Sequence, residues 1–195
     1  GDTNLITGCD IVDSETAIHV EYSDYVQVID NKITDCPTGI NVEGLSTYTT
    51  LQENTIKNSG LGIGVTNSRY TTVEENNINT RSVYGLQVTD CEYTTITRNP
   101  IGNNKYAAVM IENSRESDIS GNTLTQTETG PVLIIGNEVR YASITDNYFG
   151  SYETVSVDEV SSEIAWNSTQ APGINILGGP YMGGNYWGSA PGDKG

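Results

Sequence analysis

The stretch Tyr48-Thr-Thr-Leu51-Gln-Glu-Asn54-Thr-Ile56 decides the fold because the chain repeats it. It returns as Tyr70-Thr-Thr-Val73-Glu-Glu-Asn76-Asn-Ile78 and as Tyr93-Thr-Thr-Ile96-Thr-Arg-Asn99-Pro-Ile101. Looser copies place further asparagines at Asn31, Asn122 and Asn147, so successive steps are 23, 22, 23, 23 and 25 residues. A step of this size is the signature of a solenoid, in which each unit buries its apolar side only against its neighbours.

Around each asparagine the apolar residues fall in fixed slots. An aliphatic residue stands three before it (Ile6, Val28, Leu51, Val73, Ile96, Ile119, Ile144), and another two after it (Ile11, Ile33, Ile56, Ile78, Ile101, Leu124, then Phe149). A pair with period two follows, as in Ile18/Val20, Ile40/Val42 and Ile63/Val65. Short runs of period two are strands with one buried face. The reading is all-β: a right-handed, single-stranded parallel β-helix of about 7–8 coils of 22–23 residues, with three short strands per coil. Leucine-rich repeats share Leu-x-x-Asn-x-Leu, but here Thr49, Thr71, Thr94 and Ser46, Ser68, Ser114 stand where they need leucine. The β-helix is expected over residues 1–176, and 177–195 as an irregular Gly- and aromatic-rich segment lying on the helix or its end.

Asn31, Asn54, Asn76, Asn99, Asn122 and Asn147 are expected to form a ladder of side-chain amides at one bend. The reading also assigns them the left-handed backbone of that bend, which Asn tolerates. Tyr25, Tyr48, Tyr70, Tyr93 and Tyr141 share one slot and should stack as a column, either as a structural ladder or as an aromatic strip for carbohydrate.

Nine basic against 25 acidic residues leave a formal charge of 9 − 25 = −16, which argues against nucleic acid or anionic membrane as partner. No apolar run approaches the length of a membrane span. An exposed, extracellular or cell-surface location fits, and Asn167 opens an Asn-x-Ser/Thr sequon, a glycosylation candidate. The chain begins without Met, and either a leader has been removed or it is a piece of something longer. Cys9, Cys36 and Cys91 sit in different slots, which favours small buried thiols over a disulfide or a zinc site.

Among candidate catalytic groups, the outward positions after the Gly-Ile-x-Val strand place Glu21 and Glu43 one coil apart, within reach of a paired-carboxylate geometry. His19, alone between two inward residues, reads as a solvated outer-face side chain more than as a general base. Asp30, Glu53, Glu75 and Asp146, with Arg98 among them, fill the slot before the ladder and suggest at most weak, non-specific Ca²⁺ affinity; no cofactor is otherwise expected.

The tail Gly178-Gly-Pro-Tyr-Met-Gly-Gly-Asn-Tyr-Trp187, together with the Asn-x-Ile coils, resembles the parallel β-helix repeat proteins of archaeal, especially methanogen, cell surfaces. The same repeat family includes pectate-lyase-like enzymes and a periplasmic protein that assists copper-site maturation of nitrous oxide reductase. The resemblance implies a non-catalytic envelope, sheath or surface-layer protein, with a polysaccharide lyase or hydrolase, or a polysaccharide-binding adhesive module, as the alternative. Copper is not supported by one His and two Met without a ligand cluster. With no helical cap legible at either end, self-association end to end or edge to edge is expected, and a cell-surface polysaccharide is the other candidate partner.

Overall fold

A computed structural model describes residues 4–81, 83–125, 128–150 and 155–188. The chain winds through three parallel sheets. Sheet A stacks Asn4–Thr7, Val26–Ile29, Thr50–Gln52, Thr72–Glu74, Thr95–Thr97, Asp118–Ser120 and Ser143–Thr145. Sheet B stacks Asp10–Val12, Lys32–Thr34, Thr55–Lys57, Asn77–Asn79, Pro100–Gly102, Thr123–Thr125, Tyr148–Gly150 and finally Tyr186–Trp187. Sheet C holds the longer strands Thr16–Glu21, Thr38–Glu43, Leu61–Thr66, Tyr84–Thr89 and Ala107–Glu112, followed by Leu133–Ile135 and Val155–Val157. The parallel β-helix read from the repeat is therefore the fold.

Register follows the apolar slots. Val73 lies beside Leu51 and Ile96, Ile78 beside Ile56 and Ile101, and Leu86 beside Ile63 and Val109. One continuous core results, running from Ile18 to Phe149. Each layer buries a few aliphatic side chains, at roughly 1.5–3 kcal/mol apiece, so stability accumulates coil by coil.

The asparagine bend differs from expectation in one respect. The left-handed residue is the one before each asparagine: Asp30, Glu53, Glu75, Arg98 and Asp146 all have φ between 54° and 55°, and Gly121 has 65°. Asparagine is at the bend for its amide, and the strained backbone falls to whichever residue precedes it.

A second corner column requires glycine. A Cβ on Gly62 would stand 2.3 Å from the carbonyl oxygen of Gly85 and 2.6 Å from Ile78 Cγ2. Gly39 faces Gly62 in the same way, at 2.4 Å. Because the obstacle is backbone of the next coil, relief requires the coils to part. Gly62→Ala is expected to cost about 2–3 kcal/mol, read as a shift of the urea midpoint at unchanged slope; a variant as stable as the parent would show the corner to be loosely packed.

The segment after the last full coil closes the solenoid with its own residues. Tyr186 and Trp187 pair with Tyr148 and Phe149, and the Trp187 ring lies 4.7 Å from that of Phe149. Trp166 packs beside Trp187, with ring centroids 6.4 Å apart. Ala171–Pro172 and Tyr181–Met182 form a small antiparallel ladder outside the barrel. This segment thus adds one more strand to sheet B, Ala165 bridges to Ser143 in sheet A, and Val155–Val157 remains the terminal strand of sheet C. Part of residues 177–195 continues the sheet instead of lying irregularly on it; residues 189–195 fall outside the described residues.

Candidate functional site

The asparagine column is a hydrogen-bond ladder. Asn99 donates through Nδ2 to Val73 O (2.9 Å), Thr97 O (3.0 Å) and Asn122 Oδ1 (3.0 Å). It accepts from Asn76 N (2.9 Å) and Asn76 Nδ2 (3.2 Å). The pattern runs from Cys9 N through Asn31, Asn54, Asn76, Asn99, Asn122 and Asn147. It ends on Asn185, whose Oδ1 accepts from Asn147. Sequence reasoning missed Asn185 because 38 residues, more than one repeat, separate it from Asn147. Asn167 is exposed and takes no ladder position, so it stands where a glycan could be attached.

These amides are fully employed and buried, which leaves the outer faces for function. The longest strands, in sheet C, carry the most informative group. His19 Nε2 lies 2.8 Å from Glu43 Oε1, a diagonal contact between neighbouring coils. Asn41, in register with His19, and then His19 itself hold Glu43 below the ordinary carboxylate range. His19 and Glu43 are both substantially exposed. Glu21 is the in-register neighbour of Glu43. Its Cγ lies 3.0 Å from where a Cβ on Gly44 would be, so its chain extends along that turn. His19 is therefore a partnered side chain, which its isolation in the sequence did not suggest: the repeat reveals same-column neighbours, whereas this contact is diagonal.

Such an arrangement has definite chemical capability. In the tautomer whose Nε2–H donates to Glu43, the neutral imidazole turns toward solvent an Nδ1 lone pair that has no protein partner among the described residues. That is the form a general base needs. Along the same face Gly64 has no side chain, and Asn41 Oδ1 lies 2.9 Å from where its Cβ would be. Beyond it Tyr84 and Tyr106 meet edge to face at 6.0 Å. Burial, then the neighbouring Tyr106 and Glu112, raise the Tyr84 hydroxyl above its usual value. Both tyrosines went unnoticed in the sequence because they lie outside the tyrosine slot.

The tyrosine column stacks as follows. Tyr25, Tyr48, Tyr70 and Tyr93 lie 4.8–5.0 Å apart and within 5° of parallel. Tyr141 stands apart, because Glu116 fills the slot between it and Tyr93. Inside the stack the ring faces cover one another, so a carbohydrate strip along the whole column is not available; only edges and hydroxyls face outward. Beside it lies a shallow recess of about 360 Å³ lined by Tyr48, Tyr70, Thr72, Tyr93, Thr95 and Glu116.

The pre-ladder acidic column is not a cation cage. Arg98 is paired with Glu74 and, at 2.8 Å, with Glu75, and Asp146 accepts from Ile176 N at 3.0 Å. Soft donors do not converge either. Cys36 and Cys91 are buried and all three cysteines are free. Among the described residues no group of three or more His, Cys, Asp or Glu is placed to hold a metal. Burial pushes the Cys91 thiol up to about 11. Native protein at pH 8 is therefore expected to leave Cys91 unmodified by iodoacetamide while urea-unfolded protein reacts there; rapid native alkylation at Cys91, read by peptide mass, would contradict the burial.

Fold and site together define a parallel β-helix of the pectate-lyase-like kind. The chain belongs to the NosD family, described as periplasmic copper-binding protein, which residues 1–192 match. No curated protein sequence matches it. Similar solved structures include the A-module of mannuronan C-5 epimerase AlgE4 from Azotobacter vinelandii (TM-score 0.70, 11% identity, 97% of this chain and 54% of that one). The A-module of AlgE6 from the same organism is also similar (TM-score 0.64, 11% identity, 84% and 57%). So is DFA-IIIase from Arthrobacter chlorophenolicus A6 in complex with DFA-III (TM-score 0.55, 15% identity, 80% and 47%). The chain spans about half the length of these structures, and at such identity the likeness carries the fold.

Two expectations change. The non-catalytic reading is corrected by the solved structures named above, which share this architecture and are mannuronan C-5 epimerases and DFA-IIIase. The archaeal surface origin has no counterpart among these relatives. Copper remains a property of the family description: His19 is bound to Glu43, Met110 is buried, Met182 lies in the tail, and the residues present do not fit a copper site.

Proposed function

We propose that this chain is a carbohydrate-active β-helix that works outside the cytoplasm, binds a polysaccharide across its outer faces and cleaves it on the face of sheet C. The observation that carries the reading is the His19–Glu43 pair, 2.8 Å apart and open to solvent, with Asn41 in register with His19. His19 is the general base, Glu43 holds its tautomer, and Asn41 with His19 holds the Glu43 carboxyl below its ordinary range. Glu21, beside Glu43 in the next strand, is the nearest further carboxylate for proton transfer to a leaving oxygen. A protein of charge −16 repels polyuronates, so hydrolysis of a neutral or basic polysaccharide fits better than elimination on an acidic one. The family's periplasmic description supports the location, and the enzymes of like fold support a carbohydrate substrate, while the preference for a neutral or basic one rests on the charge of the chain alone.

The test is incubation with a panel of neutral, basic and acidic polysaccharides, following reducing ends and unsaturated ends separately. Reducing ends alone from a neutral or basic polymer are expected. Unsaturated ends would replace hydrolysis by elimination, and no release from any polymer would defeat the catalytic reading.

A further inference from the structure

The tyrosine column has a missing rung. Tyr93, Glu116 and Tyr141 occupy equivalent backbone positions with φ of 56°, 55° and 56°. The ladder runs through them without interruption: Tyr93 N donates to Arg115 O and Glu116 N to Arg140 O, both at 3.1 Å. The two rings therefore stand two coil steps apart, about 9.6 Å, with a carboxylate-bearing residue where the intervening ring would be. Among the described residues neither Tyr141 nor the far face of Tyr93 has a ring partner. Glu163 holds the same left-handed position one coil further on, so Tyr141 has glutamate on both sides.

The backbone does not account for the break, because tyrosine adopts this same φ at Tyr25, Tyr48, Tyr70, Tyr93 and Tyr141. Replacing it forfeits two stacking contacts and leaves, across a spacing one ring wide, only the flexible Glu116 side chain between Tyr93 and Tyr141. A ring placed there would lie about 4.8 Å from each tyrosine, inside the range for stacked rings. The slot opens toward the outer face of sheet A, where Thr95, Asp118 and Ser143 are in register. Desolvation raises the Asp118 carboxyl.

We propose that the missing rung is a single-pyranose subsite for a neutral or amino sugar, with Tyr93 and Tyr141 on its two faces and Glu116 and Asp118 accepting from its hydroxyls or amine. The proposal rests on the carbohydrate reading above and narrows it. Two carboxylates beside the slot select against a uronate, which would bring a third. Flat apolar faces with acceptors at the rim suit a pyranose.

The test is calorimetric titration with cellohexaose, mannohexaose, chitosan hexaose and hexagalacturonate. A neutral or amino hexaose is expected to bind, with hexagalacturonate at least tenfold weaker. Glu116→Tyr restores the rung and should lower that affinity at least tenfold without lowering the melting temperature; Tyr141→Ala, which cannot restore a stack, should lower it similarly. Unchanged affinity in both variants overturns the subsite while leaving the carbohydrate reading in place. Tighter binding of hexagalacturonate overturns the selectivity. No binding of any neutral or amino hexaose to the unaltered protein overturns the subsite, and release of ends from the polysaccharide panel then tells whether the carbohydrate reading falls with it.

Discussion

Asn99→Ala is expected to destabilise the protein by about 3–5 kcal/mol, the largest stability effect of any single truncation considered. The Asn99 side chain is fully buried and takes part in five hydrogen bonds within the ladder. Truncation leaves the backbone N–H of Asn76 without its acceptor and takes the side-chain donor from the carbonyl of Val73, while the Asn76 amide keeps Leu51 O and Glu74 O and the Thr97 carbonyl keeps Glu75 N. Water cannot readily replace the amide inside a stack of coils. Each buried polar group so stranded costs about 1–3 kcal/mol, and partial relaxation keeps the total below the simple sum. For a chain of this size the shift is about 10 °C in Tm. A loss under 1 kcal/mol in urea or thermal unfolding would mean that the ladder is incidental to the coil stack.

The second large effect concerns catalysis. His19→Ala is expected to lower the rate of polysaccharide cleavage by about 10²–10⁴-fold with little change in stability, because the imidazole lies on the outer face and is partly exposed. Glu43→Gln should lower it less, since an amide can still accept from Nε2 but no longer stabilises a protonated ring. Glu43 is held below its usual value of 4.5, chiefly by Asn41 and then by His19. A group with a depressed folded value contributes above its unfolded value and ceases to contribute as pH falls through the folded one. Glu43 therefore adds no acid limb to the rate profile above about pH 4.5, and Asn41→Ala is expected to move that limb upward. Equal activity of His19→Ala and the parent would remove the imidazole from the mechanism.

Much of the fold was legible because a solenoid writes its geometry as a period. The step between Leu51, Val73 and Ile96 equals the rise from coil to coil, so residues sharing a slot share a column. The same property explains what was hidden. A period specifies neighbours straight above and below but not diagonal ones, and the His19–Glu43 contact is diagonal. It specifies a bend but not which residue bears the strain, so φ above zero fell on Asp30 and Glu53 instead of Asn31 and Asn54. It fails where an insertion interrupts it, which concealed Asn185 and the strand Tyr186–Trp187 behind it. The tyrosine slot shows both that Tyr141 belongs to the column and that Glu116 interrupts it; the structure adds that Tyr25, Tyr48, Tyr70 and Tyr93 stack as one run.

The most direct measurement is end-group release by the unaltered protein and by His19→Ala, side by side, on whichever polymer of the panel the unaltered protein degrades fastest. Steady release by the unaltered protein and release below about one hundredth of it by His19→Ala is the predicted result. Absence of release from every polymer, or equal release by both proteins, would contradict it.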